Sequence, residues 1–277
     1  MRPDGNEKGV GTVAAVKDIF QFVDSIAPFE TQEGFDNAGF LVGRGGREVR
    51  KVLVALDITL EVADEAVSQG VELILAHHPV IFQPVKSVTD GTVTGRVLLE
   101  LLEHGVAAIC AHTNLDAAHG GVNGCLARTL ELGEIGQLCQ AGVDAKGRPY
   151  GIGRVGVVHR SGLTAKEYAA FVKEKLGSSC VRYVDGGRPV SRVAVGGGAC
   201  GSMIEDALAA GCDTFVTSDL KYNQFLDAKA LGLNLMDAGH FPTENVVCEP
   251  LARRLAEAFP DVEVLLSQVH CEVCGAV

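Results

Sequence analysis

The chain has 277 residues, 47% hydrophobic and 21% charged, with a formal net charge of −11. That balance suits a sizeable folded core and excludes intrinsic disorder. The acidic excess, with no Lys/Arg run beyond two residues, argues against nucleic-acid binding, and no apolar run approaches the ~18 residues of a membrane span.

In chain order, residues 1–11 are polar and Gly-containing and read as a loose tail with no signal peptide. Short Val/Ile/Leu runs then alternate with helical stretches. Helix is expected at Asp18 to Ala27, strand at Lys51 to Leu56, and helix at Leu60 to Gln69, opened by Thr59 with acids in its first turns and closed by Gly70. Strands follow at Val71 to Ala76 and Ala107 to Ala111, with helices at Gly95 to Glu103 and Val122 to Leu132. The Gly-rich stretch Leu132 to Tyr150 has no sustained period and reads as a connection. Beyond it, strands are expected at Ile152 to Val158, Arg192 to Val195, Thr214 to Thr217, Asn234 to Met236 and Val262 to Leu266. The helices between them are Thr164 to Leu176 (a Thr-x-x-Glu capping box), Ser202 to Ala210, Tyr222 to Ala230 and Thr243 to Phe259. Such alternation predicts an α/β fold with mixed, largely parallel sheets.

Three of these strands end in residues that carry chemistry. Leu73 to Ala76 runs into His77-His78-Pro79, where an extended backbone points adjacent imidazoles in different directions, better for two metals than for one. Val106 to Cys110 runs into His112 and Asp116. Leu233 to Met236 runs into Asp237-Ala-Gly-His240-Phe-Pro-Thr-Glu244, with Gly239 for a tight turn and Pro242 as first helical residue. Each has an ordinary alternative: loop histidines, a turn or cap aspartate, a glutamate compensating a helix N-terminus. Together they put His77, His78, His240, Asp116 and Glu244, three imidazoles and two carboxylates, at strand ends, where α/β sheets bind ligands, in a set suited to zinc, iron, manganese or nickel. Five protein ligands exceed one open tetrahedral site and suit two divalent ions sharing a carboxylate. Such a pair activates water and attracts an anion to an otherwise acidic chain, which points to hydrolysis of a phosphoester or related bond. The acid–base candidates beside the ligands are His112, Asp36 and Lys221, in that order. His112 also reads as a positioning group, and Asp57 as another. His104, His119, His159 and His270 have no partner pattern and read as ordinary residues.

Other features compete. Gly196-Gly-Gly-Ala-Cys-Gly201 fits GxGxxG after a strand, with Asp219 about twenty residues on, the spacing of a dinucleotide site, and alternatively a loop that holds a substrate phosphate. Nine cysteines without a dense framework suit reduced thiols in the cytoplasm, and Cys271-Glu-Val-Cys274 is a lone CxxC. A non-catalytic metal-binding, regulatory or scaffold role is the alternative to an enzyme.

From Val16 to Val269 the chain resembles the Nif-three-like dinuclear metal-centre family, also labelled GTP cyclohydrolase I type 2 homologues. The resemblance rests on Phe35-Asp-Asn-Ala-Gly39 with Leu41-Val-Gly43, Leu56-Asp-Ile-Thr59, Ala76-His-His-Pro-Val-Ile-Phe82 and Ala111-His-Thr-Asn-Leu-Asp-Ala117. It continues in Gly151-Ile-Gly-Arg154, Val195-Gly-Gly-Gly198, Ser218-Asp-Leu-Lys-Tyr222 and Asp237 to Glu244. It implies that His77, His78, Asp116, His240 and Glu244 ligate two metals, with a carboxylate such as Glu244 bridging, and that the protein is a homo-hexamer. It also implies two α/β domains, residues 12–131 with 238–277, and residues 132–237 inserted before the last ligand motif. One departure is Asn223, at a position where the family often has histidine.

Overall fold

A computed structural model of the chain describes residues 13–277, so the expected N-terminal tail lies outside the described residues. The elements begin α1 (Val16–Ile26), β1 (Gly39–Val42), β2 (Lys51–Ala55), α2 (Leu60–Ser68), β3 (Leu73–Ala76), α3 (Val93–Glu103), β4 (Ala107–Cys110), α4 (Thr113–Ala117) and α5 (Val122–Thr129). They continue with β5 (Gly133–Gln137), a hairpin of β6 (Gly142–Val143) and β7 (Pro149–Tyr150), β8 (Arg154–Val157), α6 (Ala165–Leu176), β9 (Arg182–Val184) and β10 (Arg192–Val195). The last group is α7 (Ile204–Ala209), β11 (Thr214–Thr217), α8 (Tyr222–Ala230), β12 (Asn234–Asp237), α9 (His240–Glu244), α10 (Cys248–Ala258) and β13 (Glu263–Leu266).

The first sheet has the order β1-β4-β3-β2-β13, parallel throughout except for β1 against β4. All four residues of β3 and of β4 are buried, which is why both read as unbroken apolar runs. Side chains alternate between two cores. Val52, Val54, Leu73, Leu75, Ala107 and Ile109 pack against α1 and α10. Leu53, Ala55, Ile74, Ala76, Ala108 and Cys110 pack against α2 and α3. In α1 the buried residues Val16, Ile19, Val23 and Ile26 recur at helical spacing and form the stripe that faces the sheet.

The second sheet has the order β5-β8-β10-β11-β12-β9. Its centre, β10-β11-β12, is parallel, and its flanking pairs are antiparallel. β1, β5 and β9 are not evident in the sequence because each lies at the edge of a sheet and is at most partly buried apart from Val42. An edge strand is paired along one side only and need not be covered on both faces, so it leaves a weaker apolar pattern than a central strand. The helix expected over Thr243 to Phe259 is broken into α9, a 3-10 turn at Asn245–Val247, and α10. Pro242 is the third residue of α9 and Pro250 the third of α10, and a proline in a first turn forfeits no intrahelical bond. Among the described residues no helix is long and apolar enough to cross a membrane.

Candidate metal centre

The ligand motifs converge where the C-terminal ends of β3 and β4, in the first sheet, meet the end of β12 in the second. The backbone N–H groups of His77 and His78 both donate to the Leu56 carbonyl, at 3.1 and 2.9 Å, fixing the turn after β3. After β4, the Ala111 N–H donates to Ala76, and His112 caps the single-turn helix α4, which carries Asp116. After β12, Gly239 takes φ +91°, which favours glycine, and His240 and Glu244 lie one turn apart on one face of α9.

Glu244 is the hub. Its Oε2 is 3.0 Å from His78 Nε2, 2.9 Å from His240 Nε2 and 3.9 Å from His77 Nε2, while His77 Nε2 is 3.7 Å from Asp116 Oδ1. Two groupings able to hold an ion share it: His77, Asp116 and Glu244, and His78, His240 and Glu244. A third joins His77, His78 and His112, so His112 faces the cluster as a further potential ligand. His77 Nε2, Asp116 Oδ1 and Glu244 Oε2 are buried without a hydrogen-bond partner. An unpaired buried polar atom costs about 1–3 kcal/mol, and three converging on one point fit an ion that satisfies them all.

Each imidazole is held from behind through Nδ1. His77 donates to the Ala111 carbonyl at 2.8 Å, which leaves its Nε2 bare toward the cluster. Carboxylates hold the others: Asp57 on His78 at 2.7 Å, Asp36 on His112 at 2.8 Å and Asp219 on His240 at 2.6 Å. This carboxylate–histidine pairing orients metal ligands and raises their basicity. Asp219 stands in the left-handed region at φ +54°, unusual for a residue other than glycine and consistent with its carboxylate being needed there.

Charge explains the titration behaviour. Burial opposes ionisation of Glu244, but His240, His77 and His78 outweigh it and hold its carboxyl well below the usual range. Burial is also the chief influence on Asp116 and raises it, although His77 pulls the other way. Burial lowers the pKa of His78, but Asp57 and Glu244 overcome it and push the value up to about 10. For His240 the adjoining Glu244 carboxylate dominates and brings it to about 9. Asp36 is driven down to about 2, its burial outweighed by hydrogen bonds from His112 and Thr113. The carboxylates thus demand positive charge, which either protons on the imidazoles or a divalent cation can supply.

The Gly196 to Gly201 loop abuts this cluster. A Cβ on Gly198 would lie 2.1 Å from Glu244 Oε1, and one on Gly197 would lie 3.3 Å from Glu244 Cγ. Glycine is required here for close approach. The Gly197 and Gly198 N–H groups are already spent on Asn123 Oδ1 and Thr243 Oγ1, so they are not free to cradle a phosphate. Asp219, which that motif would use for a ribose, instead holds His240.

His77, His78, His112, Asp116, His240 and Glu244 thus come together, with Asp36 directly behind them. Lys221 is exposed at the start of α8, where its backbone N–H bonds Gln224, and it does not line the basin in front of the cluster; Asn223 is also exposed. His270, read as ordinary in the sequence, is a working part of the site's support. Its Nε2 lies 2.9 Å from Asp57 Oδ2, and its ring packs edge-on against Phe241. Nothing local in the sequence marks that pairing, because 213 residues separate the partners. Cys271 and Cys274 are exposed, unpaired thiols.

The basin holds about 440 Å³ and is walled by Phe35, Pro79, Phe82 and Ile152 as well as by the polar cluster. Fold and site together define an α/β protein whose buried histidine–carboxylate cluster could bind metal. The chain belongs to the Duf34/NIF3 (NGG1p interacting factor 3) family, whose profile matches residues 14–272. It is 34% identical over 255 residues to a Clostridium perfringens protein named GTP cyclohydrolase 1 type 2 homolog, covering 91% of this chain and 96% of that one. The crystal structure of Staphylococcus aureus protein SA1388 superposes with a TM-score of 0.89 at 30% identity, over 96% of this chain and all (100%) of that one. A Bacillus cereus protein related to NIF3 also gives a TM-score of 0.89, at 25% identity, over 96% of this chain and 100% of that one.

Proposed function

We propose that the chain is a metal-dependent hydrolase of phosphorylated or nucleotide-like substrates, with two divalent ions held by His77, His78, Asp116, His240 and Glu244 and with Glu244 shared between them. The observation that carries this is the convergence of three buried, unpartnered atoms, His77 Nε2, Asp116 Oδ1 and Glu244 Oε2, beside a second trio that uses the same glutamate. Bound there, zinc, iron, manganese or nickel ions supply Lewis acidity and positive charge for hydrolysis. The open basin admits a substrate, which a closed structural site would not. The name carried by the relatives accords with a nucleotide-like substrate.

The chain's own residues do the rest. Asp57, Asp219 and the Ala111 carbonyl aim the imidazoles. His112 serves as the acid–base group, its Nδ1 fixed by Asp36 and its Nε2 toward the basin. Asp36, with its pKa near 2, stays ionised at neutrality and positions His112 rather than exchanging protons itself. The same proposal takes residues 12–131 with 238–277, and residues 132–237, as two α/β domains. It takes the protein as a homo-hexamer, which light scattering on purified protein checks.

The test is turnover of phosphomonoesters and phosphodiesters by protein reconstituted with manganese or zinc. Hydrolysis that disappears with chelator and in His77→Ala and Glu244→Ala is expected. Full metal occupancy without turnover of any such ester would replace the enzyme with a metal-binding or regulatory role.

A further inference from the structure

Two partly solvent-exposed phenylalanines line the basin. Phe35 is 67% exposed and Phe82 42%. Single exposed apolar side chains are ordinary, but these two line one cavity with the metal cluster and are held in place by polar contacts. The Glu33 N–H donates to Thr113 Oγ1 at 2.9 Å, and Asp36 accepts from His112 and from Thr113, so both sides of Phe35 are fastened to α4. The Asn37 side-chain amide donates to the Ile81 carbonyl and ties the Phe35 loop to the Phe82 loop. Phe82 stands edge-on to His112, with ring centroids 6.0 Å apart at 89°. An aromatic wall therefore begins directly at an imidazole that faces the cluster.

The charge of the basin complements that wall. No Lys or Arg lines it among the described residues. An anionic group entering the basin therefore has to be neutralised by the metal ions, and the remainder of the ligand meets Phe35, Phe82 and Ile152.

Building on the metal-dependent phosphate chemistry proposed above, we propose that the basin selects a phosphate ester carrying a flat aromatic ring, a nucleobase or a comparable heteroaromatic. The phosphate faces the metal cluster and the ring packs on Phe35 and Phe82. A ring stacked on aromatic side chains gains affinity whatever its hydrogen-bonding pattern, whereas a phosphate on a bare sugar leaves both phenylalanines wet. Phe35 and Phe82 are thus specificity determinants and carry no part of the bond-breaking chemistry.

The experiment measures, by calorimetry on the full chain reconstituted with manganese, the binding of adenosine 5′-monophosphate and of ribose 5-phosphate. The wild type is expected to prefer the nucleotide by about tenfold or more. In Phe35→Ala/Phe82→Ala that preference should fall below about threefold while ribose 5-phosphate binding stays unchanged, and Phe82→Tyr, which keeps a ring, should retain it. Both positions are exposed, so the variants leave the core intact, and thermal melts confirm folding. Equal affinity of the two phosphates in the wild type, or a preference that survives in the double alanine variant, overturns the aromatic assignment while metal-dependent phosphate binding stands. Nucleotide preference without metal dependence contradicts the metal–phosphate chemistry instead, and failure of both ligands to bind overturns both.

Discussion

Asp219 is the residue at which geometry and energetics pull apart. Its left-handed backbone costs about 1–2 kcal/mol that glycine would avoid, yet its carboxylate holds His240 Nδ1 at 2.6 Å. Asp219→Gly should therefore melt at the same temperature as the wild type or higher in the presence of chelator, while metal affinity drops roughly 10- to 100-fold. Competition against a chromophoric chelator reads the affinity. An unchanged affinity would make Asp219 a turn residue and nothing more. At this scale the residues that gather into the cluster were legible, because His and carboxylate at strand ends are unusual residue types in a telling place. Their supports were less so. Asp36 reads as an acid–base candidate in the sequence, where its hydrogen bonds with His112 and Thr113 leave no trace, and His270 shows no sign of its contact with Asp57. A hydrogen bond between distant segments leaves no local pattern.

Two elements join the sheets at the site. One is the glycine loop after β10, whose approach to Glu244 leaves no room for a side chain. Gly198→Ala is expected to displace Glu244 and to weaken metal binding by roughly tenfold or more, as loss of ligand orientation does elsewhere. Metal affinity equal to the wild type's would show that the loop yields. The other is Arg154 at the start of β8. Its buried guanidinium donates to the carbonyls of Gly151 and Gly153 and, across to the turn after Asp116, of Ala117 and Ala118. Burial lowers its pKa to about 10, so it stays charged at neutrality. Arg154→Met should cost about 3–5 kcal/mol in urea unfolding, because four carbonyls lose their donor inside the protein. Less than 1 kcal/mol would mean that water replaces the guanidinium. Buried strands such as β3 and β4 were plain in the sequence, since both faces are covered and every residue is apolar. The edge strands β1, β5 and β9 were not, since they are short and, Val42 apart, none of their residues is fully buried.

For the whole molecule, the site is a store of charge on which stability and metal uptake both depend. His78 and His240 titrate near 10 and 9, well above their ordinary 6.5, and His77 is also raised against the effect of its burial. Groups raised on folding stabilise fully below their unfolded pKa, and that contribution is lost as pH climbs through the folded values. Metal-free protein should thus lose stability from about pH 6.5 to pH 10, whereas metal-loaded protein, whose ligands are already deprotonated, should not show this decline. Metal uptake near neutrality should release protons, visible as a buffer-dependent heat in calorimetry, and affinity should rise with pH up to about 9–10. Binding without proton release would contradict protonated imidazoles in the free site.

The proposed dinuclear centre is tested most directly by an anomalous difference map from a crystal soaked in manganese or zinc. Two peaks are expected on either side of Glu244, one within reach of His77 and Asp116 and the other within reach of His78 and His240. A single peak, or peaks away from these five residues, would contradict it.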